Sequence, residues 1–241
     1  MNVQEATTRR LPDLKGRYLP ENCREAVNTI LKETYGYEQF RNLEIYDDLS
    51  KGKEKLCISQ GQLIENVILE AEKAWKGETQ VDNILLTAPT GSGKSLLFQL
   101  PAIYLGKEYN LLTIVVSPLK ALIVDQVESL QELGYMRVAY ASSDLSPEQK
   151  MEVYRQVREG EIDLFYLSPE LLLSYDIKHF VGERRIGLVV VDEAHTVTTW
   201  GKEFRVDYWF LGRYLNTLKQ TLGYSFPLFA LTATAVWNPK G

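Results

Sequence analysis

Cysteine is scarce in this chain. The two present in 241 residues, Cys23 and Cys57, lie far apart and form no C-x-x-C pair. That excludes a disulfide framework and a cysteine-built zinc site, and it points to a reducing, cytoplasmic setting. Long apolar stretches are missing as well. The longest runs, LLTIVV at 111–116 and GLVVV at 187–191, are strand-length and far below the roughly 20 residues that span a bilayer. The opening MNVQEATTRR has none of the apolar segment that a secretory signal needs. Nor is positive charge in excess. Lys and Arg number 27 against 32 Asp and Glu, a net charge of −5, so the surface is not basic all over. A local groove of Lys and Arg still leaves room for a nucleic-acid partner.

What is present has the apolar and charged content of a globular protein, at a length suited to one domain with or without an appended helical segment. No internal repeat or low-complexity tract is visible. Residues 1–20, with Arg9, Arg10, Lys15, Arg17 and two prolines, read as an extended lead-in. A charged helix is expected from Asn22 to Glu33, then a polar stretch. An amphipathic helix follows from Gln60 to Trp75, because Ile64, Val67, Ile68, Ala71 and Trp75 recur at three and four.

From there the pattern alternates. Strands are expected at 83–88, 112–117, 137–141, 163–167, 187–191 and 227–231, and helices at 94–105, 119–133, 147–158, 169–175 and 206–219. Ser146, Pro147 and Gln149 supply N-cap, first-position and capping-box chemistry for the third of these helices. Such alternation predicts an α/β domain, a mostly parallel sheet with helices on both faces. We place it at 79–241, after a short helical N-terminal extension at 1–78. Sheets of this kind bind ligands at the carboxyl ends of their strands.

The segment Ala88-Pro-Thr-Gly-Ser-Gly-Lys-Ser95 follows one of these strands and opens a helix. Gly91 and Gly93 allow backbone N–H groups to turn inward around phosphate oxygens, and the helix N-terminus adds positive potential. Thr90, Gly91, Ser92, Gly93, Lys94 and Ser95 are therefore candidates for cradling a nucleotide. Lys94 would reach the β- and γ-phosphates, and the Ser95 hydroxyl would hold Mg²⁺. A glycine turn that merely joins strand to helix would not need a lysine and a hydroxyl side by side at the helix start.

Asp192-Glu193-Ala194-His195 stands at the end of another apolar strand, on the same expected sheet edge. Asp192 is a candidate metal ligand, usually acting through water, and Glu193 a candidate to orient or deprotonate an attacking water. His195 is ambiguous on its own and is counted with the catalytic candidates. An isolated Asp-Glu pair would read as a solvated turn, but its pairing with a phosphate loop favours catalysis.

Here the sequence resembles a known family. Asp-Glu-Ala-His is the second motif of superfamily-two helicases. The following TVTTWGKEFRVDY (196–208) is similar to the aromatic-rich loop of RecQ helicases, with Trp200, Phe204, Arg205 and Tyr208 where that family has them. Thr199, Lys202 and Val206 stand where the family has Gln, His and Pro. VVSPLKALIVDQV (115–127) resembles motif Ia, which implies that Ser117 and Lys120 lie near the DNA backbone path. YLSPELL (166–172) resembles motif Ib. FALTATA (229–235) resembles motif III, in which Thr232 and Thr234 would link the ATP and DNA sites. The likeness covers about residues 35–236.

Tyr35-Gly36-Tyr37-Glu38-Gln39-Phe40-Arg41 resembles the family's base-recognition segment, so Tyr37 and Arg41 are nucleotide candidates. The family's glutamine is replaced by Glu44. A carboxylate can only accept, whereas reading adenine requires both accepting and donating. Gln60 is favoured for that role because Leu63, Ile64, Val67 and Ile68 follow it at three, four, seven and eight. Gln62 is the alternative glutamine, and either choice implies an insertion after Arg41; Glu44 in that position would instead mean relaxed recognition.

The resemblance implies a RecA-like P-loop NTPase domain. It would bind Mg²⁺ and ATP together with single-stranded or partly duplex DNA, in cytoplasm, nucleoid or nucleus. The implied activity is helicase motor work, 3′-to-5′ in the full protein. The chain ends just after motif III, so the second motor domain, with its arginine finger, is expected downstream or on a partner chain, and this half alone is expected to be nearly inactive. The alternative is a non-hydrolysing, nucleotide-dependent module that binds DNA or protein.

Overall fold

Apolar side chains alternate along the strands, and in the structure the two sets build two separate cores. The structure, a computed structural model, describes residues 20–46, 55–88, 91–194 and 206–232. Its N-terminal part comprises α1 (Glu25–Tyr35), β1 (Asn42–Tyr46), β2 (Lys55–Ser59) and α2 (Gln60–Trp75). Then come β3 (Ile84–Thr87), α3 (Leu96–Tyr109), β4 (Leu112–Val116), α4 (Lys120–Glu132), β5 (Val138–Ala141) and α5 (Pro147–Arg158). The rest comprises β6 (Leu164–Leu167), α6 (Pro169–Ser174), α7 (Ile177–Val181), β7 (Ile186–Val191), α8 (Val206–Leu222) and β8 (Leu228–Thr232).

Strands β3 to β8 form a six-stranded sheet in the order β3-β8-β7-β4-β6-β5, and every pairing in it is parallel. One face, with Val115, Tyr166, Leu188, Val190 and Leu231, packs against α1 to α4. The other, with Ile114, Val116, Phe165, Val189 and Val191, packs against α5 to α8. Covering both faces explains why β4, β6 and β7 are buried at every position. The expected α/β architecture is observed.

Helix α3 is the centre of the first core. All of its residues from Leu96 to Gly106 are buried, because it lies between the sheet and the pair α1 and α2. It runs past the expected end at 105 and stops at Tyr109, where Asn110 takes the left-handed region at φ 52°. The Ser146–Gln149 capping box forms as the sequence implies. Among the described residues no helix is long and apolar enough to cross a membrane.

Two local outcomes differ from the sequence reading. Helix α1 starts later than expected, after an extended Arg24, and ends where Gly36 turns left-handed at φ 68°. The stretch after Arg41 holds the antiparallel pair β1 and β2, in register from Asn42↔Ser59 to Tyr46↔Lys55. Of this pair's described side chains, Leu43 and Ile58 join the core. One anchor per strand is too few to show as periodicity.

Arg24 clamps α1 to its neighbours. It donates to Glu65 at 2.6 Å, to Glu72 at 2.5 Å and to the Tyr104 hydroxyl at 2.6 Å, and both carboxylates are buried. Arg24→Ala would leave them without their cation, an expected loss of about 3–5 kcal/mol in urea unfolding. A pH signature should accompany it. Burial alone would raise the Glu72 carboxyl, but hydrogen bonds from Arg24 and Tyr109, with the charge of Arg24, hold it below its ordinary value. A depressed folded pKa gives stability that is present above the unfolded value, about 4.3, and lost as pH falls through the folded one. Wild type should therefore weaken below about pH 4 more steeply than Arg24→Ala does; parallel pH profiles would refute the clamp.

Candidate active site

The phosphate loop starts from a fixed root. Ala88, just past β3, is buried and donates its N–H to the Thr232 carbonyl at 3.0 Å. Pro89 and Thr90 lie outside the described residues. Gly91 and Gly93 then take φ values of 81° and 77°, a region that other residues enter only at a cost. At Gly93 a Cβ would also lie 2.7 Å from Gln60 Nε2, so that amide would have to move aside. Lys94 Nζ donates to the Ala88 carbonyl at 3.1 Å, so its ammonium lies over the root of the loop. Ser95 opens α3, and its Oγ accepts from Gln126 Nε2 at 2.7 Å. The Ser92 hydroxyl is buried with no partner among the described residues.

The acidic box leaves the neighbouring part of the same edge. Asp192 is buried, and its N–H donates to the Val116 carbonyl at 2.9 Å, continuing the β4–β7 ladder. Its Oδ1 accepts from the Glu193 N–H at 2.9 Å. Glu193 sits at φ 51°, left-handed without being glycine. Such strain persists where the surroundings hold it, often at functional turns. Ala194 N–H then donates to the Leu231 carbonyl at 2.8 Å.

Strand β8 thus joins the two motifs. It lies between β3 and β7, and its last two carbonyls, on Leu231 and Thr232, accept from Ala194 and Ala88. His195 lies outside the described residues.

The hairpin β1–β2 brings together residues that the sequence separates. Gln60 N–H donates to the Arg41 carbonyl at 2.9 Å, and Gln60 Oε1 accepts from the Arg41 N–H at 3.1 Å. The Gln60 Nε2 donates to the Ser92 carbonyl at 3.1 Å. Gln60 is buried and bridges Arg41 to Ser92. Gln62 instead completes the capping box of α2, accepting from the Ser59 N–H at 3.0 Å. Glu44 pairs with Cys57 in the hairpin register. Gly61 has no room for a side chain, because a Cβ would meet the Phe40 ring at 2.6 Å. Arg41 is exposed, and so is Tyr37, whose ring stacks on Tyr35 at 6.3 Å and 17°.

Of the DNA-contact candidates, Ser117 ends β4 and is buried, while Lys120 opens α4 and is exposed. Lys120 pairs with Asp144 at 2.9 Å, a surface contact weak enough for a phosphate to displace. Thr232 is buried at the end of β8. Trp200, Phe204, Arg205 and Thr234 lie outside the described residues.

Sequence reading passed over Gln99 and gave Tyr35, Gln126 and Tyr166 no role beyond membership of their motifs; the four side chains form a polar run beside Ser95. One signal was there: Gln99 is a lone amide in the apolar LLFQLPAIYL of α3, and a buried polar group needs partners.

The model of the DEAD/DEAH box helicases matches residues 65–240. This chain belongs to that family. Within it, the helicase domain is 34% identical over 217 residues to the ATP-dependent DNA helicase RecQ of Synechocystis sp., covering 88% of this chain and 38% of that protein. It is 30% identical over 207 residues to the RecQ of Haemophilus influenzae, covering 86% and 28%. The likeness to RecQ helicases is therefore established, and the chain spans well under half the length of these relatives. In fold it is similar to the DUF1998 helicase MrfA in its DNA-bound crystal structure, at TM-score 0.58 and 22% identity over 92% of this chain and 28% of that one.

Proposed function

We propose that this chain is the first motor half of a DNA helicase, binding Mg²⁺ and ATP at the loop 88–95 and single-stranded DNA across the carboxyl edge of the sheet. One observation carries the reading: β8 ties the root of the phosphate loop and the exit of the acidic box to adjacent carbonyls. Binding at one motif is thereby mechanically connected to the other. The residues present suit a magnesium nucleotide. Two left-handed glycines, the buried Ser92 hydroxyl and a nearby lysine form a cradle for an anion.

In this reading Thr90, Gly91, Ser92, Gly93 and Lys94 hold the phosphates, and Ser95 with Asp192 holds the cation. The bound cation would neutralise charge on the transferring phosphoryl group. Glu193 orients a water and takes its proton at the carboxylate, and His195 is a further catalytic candidate. Tyr37 offers a ring to the base, Arg41 flanks it, and Gln60 reads adenine. Lys120 releases Asp144 to take a DNA phosphate, while Ser117, buried just past β4, lies near the same strand of DNA. Trp200, Phe204 and Arg205 contact or sense the strand, and Thr232 and Thr234 relay between sites. A second motor domain, downstream or on another chain, would complete the site with an arginine and move 3′-to-5′.

DNA binding tests the proposal. Anisotropy of a labelled single strand should show affinity falling as salt rises from about 50 to 200 mM, since lysine and arginine contacts release counterions. Trp200→Ala and Lys120→Ala should each weaken binding without lowering the melting temperature. Salt-independent binding, or a Trp200→Ala protein that melts early with unchanged affinity, would count against the DNA path.

A further inference from the structure

A run of hydrogen bonds leads from the base-recognition segment to the loop serine. Tyr35 O–H, at the end of α1, donates to Gln99 Oε1 at 2.9 Å. Gln99 Nε2 donates to Gln126 Oε1 at 2.8 Å, and Gln126 Nε2 donates to Ser95 Oγ at 2.7 Å. Tyr166 flanks the run, its hydroxyl 3.3 Å from Gln99 Nε2. Gln99 and Tyr166 are buried. Burial pushes the Tyr35 phenol up, so it keeps its proton and stays a donor.

The direction of these bonds is constrained. Each amide has one donating and one accepting end. Flipping Gln126 alone would set two N–H groups against each other at its contact with Gln99. The run therefore holds or reverses as a whole, as coupled hydrogen bonds in a low dielectric do. Its far end is the hydroxyl of Ser95, which makes no side-chain capping bond to its own helix. A serine hydroxyl turns freely unless a neighbour holds it, and a cation needs one particular lone pair.

We propose that Gln126 is a positioning residue for the Ser95 hydroxyl, steadied through Gln99 by Tyr35, and that it sets how strongly a divalent cation adds to nucleotide binding. Gln126 lies on α4, the helix that opens with Lys120, and Tyr35 stacks on the exposed Tyr37. The cation ligand is thereby wired to the helix that carries Lys120 and, through Tyr35, to the exposed Tyr37 ring. Nothing in this geometry asks Gln126 to touch nucleotide. Second-layer partners of this kind orient ligands, and their loss costs about 10- to 100-fold in metal affinity.

The inference rests on the reading of residues 88–95 as a nucleotide site, and calorimetry with ATP separates the two. Titrations are run with Mg²⁺ and with EDTA on wild type, Gln126→Leu and Tyr35→Phe. Wild type should bind more tightly with Mg²⁺. Gln126→Leu should lose about 10-fold or more of that gain and keep the EDTA affinity. Tyr35→Phe, which removes one oxygen and leaves the packing, should move the same way by a smaller factor, and it carries the test if Gln126→Leu does not fold. A magnesium gain unchanged in either folded variant, or affinity lost equally with and without Mg²⁺, overturns the positioning role. Wild type that binds no ATP in either buffer overturns the nucleotide site itself.

Discussion

Lys94→Ala is expected to abolish measurable binding of ATP with Mg²⁺ while leaving the fold intact. Removing one member of a desolvated charge pair costs about 2–5 kcal/mol, which is roughly 30- to 4,000-fold in Kd. The structure explains why stability should hardly change. Lys94 is half-buried and makes one described bond, to the Ala88 carbonyl, worth about 1 kcal/mol or less. Ala88 itself stays pinned through its N–H to Thr232. Calorimetry beside thermal melting separates these effects. Equal affinity in the two proteins would remove the phosphate role of the loop. Lost affinity with an equally large loss of melting temperature would make Lys94 a structural residue instead.

The largest kinetic effect is expected at Glu193. Alone, this chain should hydrolyse ATP very slowly, because no group from a second domain stabilises charge developing on the γ-phosphate. Supplying a second motor domain should raise turnover by about 10³- to 10⁵-fold and make it DNA-dependent. Glu193→Gln should then remove about 10²- to 10⁴-fold, the usual contribution of a positioned base.

Backbone geometry offers a control. At φ 51° a residue with a side chain carries roughly 1–2 kcal/mol of strain that glycine escapes, although glycine orders at a cost of about 0.5–1 kcal/mol. Glu193→Gly should therefore be as dead as Glu193→Gln yet unfold at equal or up to about 1.5 kcal/mol higher free energy. A Glu193→Gln protein with full turnover would reduce Glu193 to a turn residue, and the non-hydrolysing module would become the better reading.

Much of the fold was legible because its signals are local. Helix α2 spans Gln60–Trp75 as its apolar spacing implies, since four of its stripe residues, Ile64, Val67, Ile68 and Ala71, face the core. Ser146 caps α5 because hydroxyl, proline and glutamine stand at the right offsets. The hairpin after Arg41 escaped notice because only Leu43 and Ile58 among its described side chains bury themselves. Helix α7 escaped too: at five residues it is shorter than the repeat from which a helical period is read.

Pieces whose chemistry lies within a few residues can be read directly from the chain. The left-handed glycines of the phosphate loop, the acidic turn after an apolar strand and the alternation of strand with helix all follow from neighbours along the chain. Tertiary structure alone decided which pieces meet. It set β8 between β3 and β7, returned Gln60 to Arg41 across a hairpin, and laid Gln126 against Ser95. Those meetings depend on how two cores close over one sheet, burying apolar surface without regard to direction. Only for Gln60 did spacing along the chain point to its partner segment; no such spacing encodes the place of β8 or the contact of Gln126 with Ser95.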